Sequence, residues 1–76
     1  MNRVYKEDLS IAAMHRICKM AGAERVSEAA AKEMARVLED IGVKITKEAI
    51  DYANHAGRKT VKARDIKIAA KKVLNF

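Results

Sequence analysis

The side chains with the clearest chemistry in this sequence are its cations, and their placement says more than their number. Of 76 residues, 16 are lysine or arginine and 10 are carboxylates, a formal net charge of +6. Residues 1–27 carry five basic and three acidic side chains, residues 28–56 four and six, and residues 57–76 seven and one. The flanks are therefore basic (+2 and +6) and the middle acidic (−2). A local excess of this kind suits a polyanion, because lysine and arginine neutralise its charges and release its counterions. The competing reading is a merely solvated charged surface, common among small basic proteins.

Other chemistry is thin. His15 and Cys18 form an i, i+3 pair, but a domain this small offers them no obvious pocket. There is no glycine-rich phosphate loop and no pair of catalytic carboxylates, so an enzyme is not expected. The Cys/His sets of a structural zinc site are missing, and no cofactor or metal is expected. The single cysteine forms no intrachain disulfide and agrees with a reducing compartment. The N-terminus is charged and no apolar run is long enough for a span, so a soluble, cytoplasmic chain without a membrane partner is expected. A membrane-surface helix fits poorly, because the polar side of the long central segment is mixed in charge rather than basic.

The elements that position the cations are helices. Proline is absent, glycine occurs three times, and good helix formers are plentiful. Residues 8–20 have helical spacing at Leu9, Ala13, Ile17 and Met20, with Met14, Cys18 and Ala21 beside them. Asp8 is the expected N-cap, and Gly22 suits the C′ position. Arg16 and Lys19 fall on the opposite face. Residues 27–55 predict one long helix of roughly 43 Å, with Ser27 as N-cap and Gly57 closing it. Ala30, Met34, Val37, Leu38, Ile41, Ile45, Ala49 and Tyr52 make a broad apolar stripe. Val43 and Ile50 lie off that stripe, as isolated exposed residues or as contacts for a short helix. Residues 62–74 predict a third helix, with Ile66, Ala69, Ala70 and Val73 at i, i+3, i+4, i+7. The whole chain reads as one all-α domain. Two short helices cannot cover so long a stripe, and a second copy in an isologous dimer is the economical cover.

Two segments resemble the loop motifs of archaeal histones. Ala21-Gly22-Ala23-Glu24-Arg25-Val26-Ser27 is similar to the first-loop motif. His55-Ala56-Gly57-Arg58-Lys59-Thr60-Val61-Lys62-Ala63-Arg64-Asp65-Ile66 is similar to the second. Their separation fits without a gap, and the resemblance covers roughly residues 10–74. It implies the histone fold (short helix, long central helix, short helix) in a handshake homodimer that binds double-stranded DNA. It further implies tetramers or longer polymers on DNA, a chromosome-associated protein, and room for a sister histone as heterodimer partner.

The resemblance also implies roles. Arg25 enters the minor groove, near Thr60 of the other protomer. Lys59, Thr60 and Lys62 contact phosphate from the second loop. Arg16 reaches DNA from the first helix, and Lys19 is grouped with it as a DNA-binding candidate. Arg58 and Asp65 form an ion pair bracing the second loop. Tyr52, His55 and Asp65 fall at the dimer–dimer contact. Cys18 is expected as a small core residue. Departures are the missing prolines near Ser10 and Ala13, which allow a longer first helix, the extension of residues 1–8, Val43 in place of a frequent charge, and Tyr52 in place of an aliphatic residue. The implied function is an architectural protein that wraps or compacts DNA. The alternatives are a DNA bridge without wrapping, and a transcription-complex component with mainly protein partners.

Overall fold

A computed structural model of the protein describes residues 9–75. All regular structure among them is helical: α1 (Ile11–Met20), α2 (Glu28–His55) and α3 (Ala63–Leu74).

Helix α1 starts later than its apolar spacing predicts. Ser10 is extended and its hydroxyl accepts the Ala13 N–H at 3.2 Å, so it, not Asp8, is the N-cap. Asp8 itself, and the extension of residues 1–8, lie outside the described residues. Helix α2 is capped as expected: the Ser27 hydroxyl accepts the Ala30 N–H at 3.0 Å. Glu28 stands in its first turn, where the helix dipole favours an anion. Helix α3 is preceded by Lys62, whose side chain has no acceptor to offer. Asp65 caps in reverse, its Oδ2 accepting the Lys62 N–H at 2.8 Å.

Both α1 and α2 end in the same closing turn. Ala23 N–H donates to Cys18 O (3.1 Å) and Gly22 N–H to Lys19 O (3.0 Å). Arg58 N–H donates to Ala53 O (2.9 Å) and Gly57 N–H to Asn54 O (2.9 Å). This is the paired pattern of a Schellman motif, which needs a left-handed residue at C′. Gly22 (φ 110°) and Gly57 (φ 72°) supply it.

The chain divides into two compact units, one ending at Asp40 and the other starting at Ile41. In the first, Met14 of α1 and Ala31 and Ala35 of α2 form a buried cluster, with Ile11, Ala13, Val26, Met34 and Leu38 packed against it. In the second, Ala49 and Ala53 of α2 and Asp65 and Ala69 of α3 are buried.

The buried line on α2 therefore runs through Ala31, Ala35, Ala49 and Ala53 rather than along most of the expected stripe. Small residues are covered where helices approach closely. The larger stripe residues Met34, Val37, Leu38, Ile41, Ile45 and Tyr52 are only half-buried, and Ala30 is exposed. On α1, Leu9 (39%), Ile17 (42%) and Met20 (84%) are exposed, and Cys18 is half-buried. Of the two residues off the stripe, Val43 is half-buried and Ile50 is exposed. No helix among the described residues is long and apolar enough to cross a membrane.

Candidate nucleic-acid interface

Two loops carry the cations singled out from sequence, and each is fixed at both ends. The first runs from the closing turn at Gly22 to the Ser27 cap. Val26 packs on the Met14 cluster and ties the loop down, while Arg25 beside it is exposed. A short, anchored loop leaves its backbone little freedom to lose on binding. Arg16 and Lys19 are exposed on α1, in the same unit. His15 Nε2 stands 3.9 Å from Glu28 Oε1, linking α1 to the start of α2. The sequence gives no sign of this pair, because residues on different helices leave no periodic signal.

The second loop is braced from within. Arg58 Nη1 and Nη2 donate to Asp65 Oδ2 (2.8 Å) and Oδ1 (3.0 Å), and Nη1 also donates to the Thr60 carbonyl at 2.9 Å. Two parallel bonds to one carboxylate are the strong, geometrically specific form of this pair. The Asp65 side chain is only 3% exposed. The Arg58 guanidinium, with the Lys62 N–H helping, holds the Asp65 carboxyl far below the usual aspartate range. In turn Asp65 keeps Arg58 protonated above the usual arginine range. The pair thus joins the residue after the closing turn to the first turn of α3, and clamps the backbone of Thr60 between them. Lys59, Thr60 and Lys62 are all exposed on this rigid segment. The arrangement suits phosphate: exposed cations on a braced backbone.

Of the residues assigned to a dimer–dimer contact, Tyr52 is half-buried and His55 exposed. His55 Nδ1 donates to the Asp51 carbonyl at 2.9 Å. Asp65 is already bonded to Arg58 and to the Lys62 N–H within its own chain. On α2, Arg36 is held between Glu33 and Asp40, donating to Asp40 Oδ2 at 2.9 Å. Neither carboxylate was assigned to Arg36 from sequence, although their i, i+3 and i, i+4 spacing is the signal for such a clamp. Among the described residues no group of His, Cys, Asp and Glu could hold a metal ion.

Comparison with known proteins agrees with this geometry. The family model for histone-like transcription factor (CBF/NF-Y) and archaeal histone matches residues 7–70. One of the chains of archaeal histone HAN1 from Thermococcus zilligii is 52% identical over 64 residues, 84% of this chain and 96% of that protein. Probable archaeal histone 3 of Methanocaldococcus jannaschii is 52% identical over 62 residues, 82% of this chain and 92% of that protein. Major histone H4 of Tetrahymena pyriformis is 30% identical over 71 residues, 93% of this chain and 69% of that protein. The helix order short, long, short, with a cation-bearing loop at each end of the long helix, belongs with these relatives. The chain is a member of the histone-like transcription factor and archaeal histone family, and its fold is the histone fold.

Proposed function

We propose that this chain is an architectural chromatin protein that binds duplex DNA through its backbone and compacts it on the cytoplasmic chromosome. The observation that carries the reading is the braced second loop, where a part-buried Arg58–Asp65 pair fixes the backbone that bears the exposed Lys59, Thr60 and Lys62. Arg25 takes the minor groove, where a planar, weakly hydrated, permanently charged group is best suited. Arg16 and Lys19 add contacts from α1, and the backbone N–H groups at the start of α2 favour a phosphate beside Arg25. No reaction is catalysed.

The working unit is a handshake homodimer, or a heterodimer with a sister histone. The half-exposed stripe on α2 and the exposed Leu9, Ile17 and Met20 support a second chain as their cover. Tyr52 and His55 carry the contact between dimers, with Asp65 securing the loop that follows them, and extend the assembly to tetramers and polymers on DNA.

Nuclease digestion of long mixed-sequence DNA bound by the protein, across a salt series, tests this. A regular ladder of protected fragments is the expected result and means wrapping by stacked dimers. Binding without a ladder would replace wrapping with bridging or isolated dimers. No protection even at low salt would overturn the DNA-binding reading and favour a protein partner.

A further inference from the structure

Glu28 is a carboxylate close to a place where DNA is expected. It lies three residues after Arg25, so the two Cα atoms are no more than about 11 Å apart. That is on the order of the screening length at physiological salt. The Glu28 side chain is 68% exposed, so its charge opposes a phosphate strand that arrives at Arg25. The helix dipole accounts for an anion in the first turn of α2. It does not account for the imidazole set against that anion.

His15 Nε2 stands 3.9 Å from Glu28 Oε1, from another helix. The partner that α2 itself would offer Glu28 is Lys32, at i+4. Among the described residues Lys32 makes no ion pair with Glu28, and His15 takes that place. The other charged side chains on the segments that meet here are Arg16 and Lys19 on α1, and Glu24 and Arg25 in the first loop. Glu24 makes no ion pair with His15 among the described residues, and farther along α2 Glu33 and Asp40 are bonded to Arg36. Glu28 is thus the carboxylate that His15 answers to. An imidazole ordinarily changes charge between pH 5 and 8. Protonated, His15 offsets the Glu28 carboxylate. Neutral, it leaves that charge standing beside Arg25.

We infer that His15 and Glu28 together set the charge beside Arg25, so that duplex binding tightens as pH falls through the neutral range. This rests on the DNA-binding reading above and adds a proton-sensitive control to it.

The test measures duplex affinity of the full chain by fluorescence anisotropy at low salt, from pH 8 down to pH 5.5. A unit charge about 10 Å away in water changes an equilibrium constant about twofold, and a dimer carries two first loops, so the parent should bind about fourfold more tightly at pH 5.5. His15→Gln should remove most of that gain. His55→Gln, which alters the other histidine of the chain, should keep it. Glu28→Gln should bind at pH 8 about as tightly as the parent does at pH 5.5, with little more to gain on acidification. His15→Arg, a fixed cation, should bind tightly at both ends of the range. Circular dichroism at both ends checks that each variant is folded. A gain that survives in His15→Gln, or disappears in His55→Gln instead, would sink the inference. So would a His15→Gln chain that binds equally more weakly at every pH, the behaviour of a merely structural contact between α1 and α2. If Glu28→Gln keeps the parent's affinity at pH 8 together with its full gain, His15 acts without Glu28 and the inference fails. A parent chain that binds no duplex at any pH would overturn the DNA-binding reading together with this one.

Discussion

At the scale of single residues, Asp65 does the most with least exposure. It caps α3 through the Lys62 N–H and grips Arg58 through both oxygens. Because its carboxyl is held below the ordinary range, the stabilisation is complete above about pH 4 and is lost as pH falls further. Thermal melting followed from pH 7 to pH 2 should therefore show a falling acid limb that Asp65→Asn flattens. At pH 7 the same substitution leaves Arg58 without its counter-charge and should lower the melting temperature by about 10 °C or more. Arg25 is a different kind of residue, exposed and free of structural duties. Arg25→Ala should leave melting unchanged and weaken binding alike on every DNA sequence. The slope of log affinity against log salt should become shallower by about one per protomer, measured by titration at several ionic strengths.

At the scale of elements, the molecule depends on how its helices begin and end. Ser10→Ala and Ser27→Ala each remove a cap and should cost about 1 kcal/mol in chemical denaturation. The two closing glycines have open space where a Cβ would go, so substitution there tests backbone strain alone. Gly57→Ala, in the left-handed region, should cost about 1–2 kcal/mol. Gly22→Ala should cost more, because φ 110° lies outside the small pocket that other residues tolerate. These ends were readable from sequence where one signal stood alone, as at Ser27 and Gly57. They misled where two good caps, Asp8 and Ser10, competed within one turn, because only the hydrogen bond to Ala13 decides between them. The buried line was misread for a physical reason as well. A hydrophobic stripe weights large residues, whereas close helix approach covers alanines one position away. Among the site residues, the Arg58–Asp65 pair was expected from the resemblance and is present. The engagement of the Thr60 carbonyl, rather than its hydroxyl, was not legible, since backbone geometry leaves no mark on residue type.

At the scale of the whole molecule, the apolar residues exposed on one chain bear on stability. Ile17, Met20 and Ile50 are all more than two-fifths exposed in a single chain. If a second chain covers such surface, folding and association are one equilibrium, and stability depends on protein concentration. Melting temperature should rise steadily as concentration is raised over two or three decades, and sedimentation should find dimers or larger species wherever helix is present. A melting temperature independent of concentration, with a folded monomer in the centrifuge, would contradict the handshake assembly.

The buried hydrophobic residues among those described are Met14 and five alanines. If so slight an interior cannot hold a single chain folded, a protomer has no folded form to wait in while it changes partners. Exchange of one protomer for another must pass through an unfolded chain, and is as slow as unfolding itself. Which chains share a dimer is then settled when they are synthesised, by which sisters are being made at the same moment.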